Sequence, residues 1–139
     1  MPNRRILVFG TFDLLHPGHV SFLRQAKRRG HELVVAVARD ANVRRIKGRR
    51  PAQSERRRAA AVRRTGLAVR VLLASTDPDT RYAFIKRIAP DIICLGYDQT
   101  AYTDTLADDL VRHGVRCRIV RLKPFYPRRY KSSLFRSKH

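Results

Sequence analysis

The chain has 139 residues, of which 43% are hydrophobic and 30% charged. This composition excludes an intrinsically disordered chain, and apolar runs no longer than that of residues 33–38 are far too short to span a bilayer. Thirty-one lysines and arginines against eleven acidic residues give a net charge of +20, which predicts polyanionic partners, either nucleic acid or phosphorylated small molecules.

Strand and helix patterns alternate along the chain. Short apolar runs typical of strands buried on both faces span residues 5–9, 32–38, 69–73, 91–95 and 116–120. Helical spacing or capping residues mark 17–29, 54–64, 79–89 and 103–113, with Ser54 as an N-cap and Gly30 and Gly114 as C-terminal stops. Residues 38–50 are expected to be a loop. The alternation predicts an α/β fold, a doubly wound, five-stranded parallel sheet with helices on both faces.

Ligands of such sheets bind beyond the carboxyl ends of the strands, and the first loop there is GTFDLLHPGH, residues 10–19. Pro17 suits the first turn of a helix, whose free N–H groups and dipole attract phosphate. Two imidazoles flank this helix start, at His16 and His19, and each can donate a hydrogen bond to a phosphate oxygen. A turn with no chemical role is the alternative; a zinc site is disfavoured because no third ligand lies at a suitable spacing.

The pattern GTFD-x-x-H-x-G-H resembles the signature of the HxGH nucleotidyltransferases, a superfamily shared with class I aminoacyl-tRNA synthetases. Within it, the form resembles the cytidylyltransferase-like family, which includes glycerol-3-phosphate cytidylyltransferases and archaeal-type FAD synthases. Further segments in family order are residues 37–40, 47–51, 54–57, 90–99 and 130–133. The resemblance covers nearly the whole chain and implies one Rossmann-like nucleotidyltransferase domain over residues 1–139.

The resemblance also implies roles for individual residues. His16 and His19 would hold the triphosphate and stabilise charge on the α-phosphate, with Lys47 as a third catalytic residue. The nucleotide-binding set comprises Gly10, Thr11, Phe12, His16, His19, Tyr97, Asp98, Gln99, Arg129, Ser132 and Ser133. The acceptor-binding set comprises Asp13, Arg39, Lys47 and Arg49. Competing assignments are Arg45 or Arg49 for Lys47, Arg121 or Arg128 for Arg129, and a loop-closing or magnesium-assisting role for Asp13.

The turn Gly-Tyr-Asp-Gln at residues 96–99 is similar to the FAD synthase branch of the family. That similarity implies transfer of AMP from ATP to FMN. Mg²⁺ is expected because the triphosphate charge must be neutralised, and we expect it to bind mainly through substrate phosphates and water, with no dedicated protein site. Aromatic residues near the ligand end that suit a flavin slot are Tyr97, Tyr102, Phe125, Tyr126 and Tyr130. The alternatives are a CTP-dependent cytidylyltransferase acting on glycerol 3-phosphate or a similar small phosphorylated alcohol, and a catalytically inactive basic nucleotide- or RNA-binding module.

Partners and location follow from the charge, the cysteines and the resemblance. The basic residues are spread along the chain, which favours nonspecific affinity for nucleic acid over sequence-specific recognition. The N-terminal apolar stretch is too short for an export signal, and Cys94 and Cys117 lie in apolar contexts typical of buried thiols in a reducing compartment. We expect a cytoplasmic protein without a membrane segment, and the resemblance favours a homodimer.

Overall fold

Strands and helices alternate along the described part of the chain. The structure is a computed structural model, and it describes residues 4–75, 77, 80–97, 99 and 105–124. The elements are β1 (Arg5–Gly10), α1 (Pro17–Lys27), β2 (Glu32–Val37), α2 (Asp40–Lys47), α3 (Glu55–Arg64), β3 (Arg70–Leu73), α4 (Arg81–Ile88), β4 (Ile92–Leu95), α5 (Leu106–Arg112) and β5 (Arg118–Arg121).

The strands form one parallel sheet in the order β3-β2-β1-β4-β5. The central strand β1 pairs with β2 on one side, where Ile6 faces Leu33, and with β4 on the other, where Ile6 faces Ile92. The five-stranded parallel sheet is therefore confirmed. The chain adds β2 and β3 on one side of β1 and then crosses to β4 and β5 on the other. In sheets of this type, ligands bind beyond the carboxyl ends of the strands at such a switch point, here between β1 and β4.

Apolar side chains on the two faces of the sheet form two cores. Alternate residues of β1 point to opposite faces, so Ile6 packs with α1 and α3, whereas Leu7 packs with α4 and α5. Leu23 of α1 and Ile85 of α4 are fully buried in these cores. Helices cover both faces of the sheet, as the doubly wound arrangement predicts.

The helix α2 corrects the expectation that residues 38–50 form a loop. Its apolar face is short: Val43 is buried, whereas Ile46, one turn further on, is about half exposed. Contacts at its ends stabilise it instead: the Asp40 N–H donates to Glu55 Oε1 over 2.8 Å, and Gly48 ends the helix in the left-handed conformation at φ 78°. Eight mostly polar residues with a single buried side chain are easily taken for a loop in the sequence.

Gly30 has a different role from the expected helix stop. The helix α1 ends at Lys27, the cap residue Arg28 has right-handed backbone angles, and Gly30 is not among the positive-φ glycines. A Cβ at Gly30 would lie 2.4 Å from Ile6 Cδ1 and 2.8 Å from the Arg4 carbonyl oxygen. Close approach to β1 therefore requires this glycine.

The other helix-end predictions are confirmed. Ser54 Oγ accepts the Arg57 N–H and caps α3, and Gly114 adopts φ 72° just after α5. Among the described residues, no helix has the length and apolar character needed to cross a membrane.

Candidate active site

The loop between β1 and α1 folds back tightly on the end of its own strand. Phe12 has a left-handed backbone, at φ 53°, and its buried ring turns back over Gly10. A Cβ on Gly10 would lie 2.6 Å from that ring, so only glycine fits there. The same ring makes an edge contact with His19, with centroids 5.6 Å apart. Gly10 thus leaves room for the Phe12 ring, and the His19 imidazole packs against that ring.

The two histidines cap the helix α1, and backbone N–H groups fix the tautomer of each ring. His16 is the N-cap; its Nδ1 accepts the Gly18 N–H over 3.1 Å, and His19 Nδ1 accepts the His16 N–H over 3.2 Å. A backbone N–H can only donate, so each Nδ1 must carry a lone pair. In the neutral ring the proton therefore lies on Nε2. The rings stack with centroids 3.8 Å apart, and the pair presents two Nε2–H donors.

The site keeps His19 uncharged at neutral pH. Burial, and next the neighbouring His16, lower the pKa of His19 to about 4. The positive end of the α1 dipole acts in the same direction. Two Nε2–H donors at a helix N-terminus suit a phosphate oxygen on which negative charge grows during a reaction.

Asp13 closes the loop onto the segment before α3. Its carboxylate oxygens accept the N–H groups of Ala52, over 2.7 Å, and Gln53, over 2.9 Å. Although burial by itself raises the pKa of Asp13, these two hydrogen bonds hold it below its usual value. The carboxylate is thus engaged in loop closure.

Arg58 is a buried residue that the sequence analysis did not single out. Its side chain is fully buried and donates to three groups: Nε to the Gln53 carbonyl (3.0 Å), Nη1 to the Thr11 carbonyl (2.8 Å) and Nη2 to the Asp40 carboxylate (2.6 Å). One guanidinium therefore joins the histidine loop, the segment before α3 and the start of α2. Its neighbour Arg57, which was quoted in the family segment, is exposed.

Three cations are predicted to bind the acceptor. One of them, Arg39, already bonds other protein groups, whereas the other two are exposed. Arg39 donates from Nε to the Ala74 carbonyl over 2.8 Å and pairs with Glu55 over 3.7 Å, so it braces α2. Lys47, the last residue of α2, and Arg49 are exposed. The Lys47 charge is a minor cause of the lowered pKa values of both Asp13 and His19.

The loop after β4 is tied to the end of β1. Gln99 accepts the Gly96 N–H over 3.1 Å and donates to the Phe9 carbonyl over 3.2 Å. Arg121 Nη1 donates to the carbonyls of Gly96 (2.7 Å) and Gln99 (3.0 Å), so it supports this loop. Tyr97 is half exposed beside them. The predicted residues that lie outside the described ones are Asp98, Tyr102, Phe125, Tyr126, Arg128, Arg129, Tyr130, Ser132 and Ser133.

The thiols and acidic residues offer no second reaction centre in the described ranges. Cys94 is a buried free thiol, and burial raises its pKa to about 11. A thiol that stays protonated is a poor nucleophile. No group of three histidine, cysteine or acidic side chains suited to a metal ion occurs among the described residues.

Comparison with known proteins shows the family of this chain. The sequence profile described as cytidylyltransferase-like matches residues 7–138. An FAD synthase from Methanosarcina barkeri is 44% identical over 118 residues, which cover 85% of this chain and 82% of that protein. An FAD synthase from Korarchaeum cryptofilum is 42% identical, over 88% of this chain and 84% of that protein.

Solved structures share the fold. A lipopolysaccharide core biosynthesis protein from Thermoplasma volcanium superimposes with a TM-score of 0.81 at 33% identity, covering 89% of this chain and 99% of that one. A pantoate-beta-alanine ligase from Francisella tularensis superimposes with a TM-score of 0.60 at 13% identity, covering 86% of this chain and 59% of that one, and shares the fold alone. The chain belongs to the cytidylyltransferase-like family of nucleotidyltransferases.

Proposed function

We propose that this protein is an FAD synthase, which transfers AMP from ATP to FMN. The observation that carries the nucleotidyl transfer is the imidazole pair, His16 and His19, whose Nδ1 atoms both accept backbone N–H groups and whose Nε2–H groups have no hydrogen-bond partner among the described residues. The adenylyl group and the flavin acceptor are inferred from the relatives named FAD synthase, which match most of the chain.

In the proposed reaction, a phosphate oxygen of FMN attacks the α-phosphorus of ATP in line. The new P–O bond forms as the bond to the β-phosphate breaks, and pyrophosphate leaves with the electron pair. The phosphate nucleophile is already ionised, so no general base is needed. The two Nε2–H groups stabilise charge at the α-phosphate, and Lys47 attracts the acceptor phosphate.

We propose that Mg²⁺ binds mainly through the substrate phosphates and water, where it neutralises the triphosphate charge. The described residues fit this arrangement, because Asp13 already accepts two backbone N–H groups. The β- and γ-phosphates are assigned to Arg129, Ser132 and Ser133, and the ribose to Asp98. These four assignments rest on the resemblance.

Product analysis tests the proposed substrates. The protein is incubated with Mg²⁺ and either ATP or CTP, in combination with FMN or glycerol 3-phosphate, and the products are identified by mass spectrometry. We expect FAD and pyrophosphate from ATP and FMN. A cytidylylated glycerol product would instead favour the cytidylyltransferase, and no product from any pair would favour a binding module without activity.

Two substitutions of His19 separate the capping role of its Nδ1 atom from the phosphate-binding role of its Nε2–H group. Asparagine places an acceptor near the position of Nδ1, so His19→Asn keeps the cap and loses the Nε2–H; we expect kcat to fall by about 10²-fold or more with little change in Tm. Glutamine places an amide N–H near Nε2, so His19→Gln should retain more activity at a lower Tm. His31→Ala is the matched control, because His31 lies at the opposite edge of the sheet and its side chain bonds only the Arg4 N–H among its described contacts. Full activity in His19→Asn would refute the proposed role.

We also propose that the protein works in the cytoplasm as a homodimer with nonspecific affinity for nucleic acid. The free thiols support a reducing compartment, the resemblance supports the dimer, and the net charge of +20 supports the affinity. Light scattering and RNA titration at low and high salt measure the last two properties directly.

A further inference from the structure

The loop that carries the two histidines is held in a strained backbone conformation. Three residues other than glycine have a positive φ in the described ranges, and two of them lie in this loop: Phe12 at 53° and Leu14 at 51°. Such side chains adopt the left-handed region only at a cost. The buried Phe12 ring contacts His19 and Phe22, whereas the Leu14 side chain is 59% exposed and gains little from packing. Hydrogen bonds must therefore hold the backbone of Leu14 in place.

Gln53 supplies these hydrogen bonds from the segment before α3. Its side-chain Oε1 accepts the Leu14 N–H over 3.1 Å, and its backbone N–H donates to Asp13 Oδ1 over 2.9 Å. Both bonds join one residue to two successive residues of the loop. They therefore fix the position and the orientation of the peptide unit between Asp13 and Leu14, and strained backbone persists only where its surroundings determine it in this way.

Gln53 is itself held by the buried Arg58. The Gln53 carbonyl accepts Arg58 Nε over 3.0 Å, and Nη1 of the same guanidinium donates to the Thr11 carbonyl over 2.8 Å. Leu14 lies two residues before His16, which is the N-cap of α1. A displacement of Leu14 would therefore displace the N-cap and the imidazole that forms it.

We propose that Gln53 is a positioning residue for the imidazole pair. Its side chain holds the peptide between Asp13 and Leu14, and this peptide determines where His16 and His19 present their Nε2–H groups. The assignment rests on the proposed function. Donors that are displaced from the position of the developing charge stabilise the transition state poorly. Loss of the Gln53 acceptor should therefore slow the reaction although no group that touches the substrate has been removed.

One variant and a matched control separate positioning from stability. Gln53→Met keeps the length of the side chain but lacks the oxygen that accepts the Leu14 N–H. We expect kcat to fall about tenfold or more, with little change in the KM for ATP, because the donors act on charge that grows in the transition state. Ser54→Ala removes the cap of α3 at the next residue, so it should lower the Tm and leave kcat at the wild-type value.

A substitution of Leu14 tests the same contact from the side of the loop. Asparagine adopts the left-handed region more readily than leucine, so Leu14→Asn relieves the strain that Gln53 offsets. In the Leu14→Asn background, Gln53→Met should lower kcat by about threefold or less. An equal loss in both backgrounds, an unchanged kcat in Gln53→Met, or an equal fall of kcat in Ser54→Ala would overturn the assignment.

The tautomers of the two histidines give a readout that does not depend on activity. In the wild type at alkaline pH, nitrogen NMR of the side chains should show the proton on Nε2 of both rings, because both Nδ1 atoms accept backbone N–H groups. In Gln53→Met the capping bonds loosen, and the spectra should shift toward a mixture of tautomers. Spectra identical to those of the wild type would overturn the assignment. Failure of the wild type to form FAD, with the shift present in Gln53→Met, would instead count against the proposed function alone.

Discussion

At the scale of single residues, Arg58 determines the shape of the candidate site without facing a ligand. It is fully buried, and each of its three donor atoms reaches a different segment. Lysine carries the same charge but cannot reach three separated acceptors, because it lacks the planar fork of the guanidinium. The charge of Arg58 also compensates the Asp40 carboxylate, whose side chain is 35% exposed.

Arg58→Lys should therefore destabilise the fold, and Arg58→Met should destabilise it more. We expect Arg58→Lys to lower the free energy of unfolding by about 1–2 kcal/mol, because at least one buried carbonyl loses its donor. Arg58→Met should cost about 2–4 kcal/mol, because Asp40 also loses its counterion. Urea unfolding measures both values. Arg57→Met is the control at an exposed neighbour, and an equal loss there would contradict the role given to Arg58.

At the scale of elements, the contact between β1 and the turn before β2 is closer than any side chain allows. Gly30 packs against Ile6 and the Arg4 carbonyl, and the His31 N–H donates to the same carbonyl over 2.9 Å. Since Gly30 has an ordinary φ, the constraint at this position is space and not backbone conformation.

Gly30→Ala should thus separate β1 from that turn and lower the free energy of unfolding by about 1–3 kcal/mol. Ile6→Val removes the Cδ1 atom that the new methyl would meet, so the double variant should lose less than the sum of the two single losses. Thermal and urea unfolding of the four proteins give the coupling. Strict additivity would show that the clash with Ile6 is not the cause.

Pattern and packing explain which elements were predictable. The buried strands and the helices that cover the sheet carry apolar periodicity, so their order was predictable. The helix α2 was missed because contacts at its ends hold it and only Val43 is buried. Arg58 stood unrecognised in a run of three arginines, yet it shares a helix face with the buried Ala59 and Val62. The position of Arg58 on the buried face of the helix could therefore have been read from the sequence. Its pairing with Asp40 could not, because that contact depends on α2, a helix that had not been predicted.

At the scale of the whole molecule, the net charge of +20 acts against compactness. Acidification increases that charge. It also protonates His19, which the fold keeps neutral, and Asp13, which the fold keeps ionised. His19 has a folded pKa of about 4, below the ordinary 6.5, so between these values the unfolded chain binds more protons than the folded one.

The free energy of unfolding should therefore be highest above about pH 6.5 and fall as the pH drops toward 4. The Asp13 carboxyl, with its lowered pKa, adds a further loss at more acidic pH. Urea unfolding at several pH values and high salt, which screens the general repulsion, measures the slope. In His19→Asn the slope between pH 6.5 and 4 should be shallower, and an unchanged slope would contradict the neutral state of His19.

The burial of Arg58 also has a consequence for chemical labelling. The chain contains twenty-five arginines, and dicarbonyl reagents react with a guanidinium only where solvent reaches it. Exposed arginines such as Arg56 and Arg57 should be modified early, whereas Arg58 becomes accessible only when the histidine loop, α2 and the start of α3 separate. The rate at which peptides containing residue 58 acquire the label would then report how often the candidate site opens, and bound substrate should slow that rate.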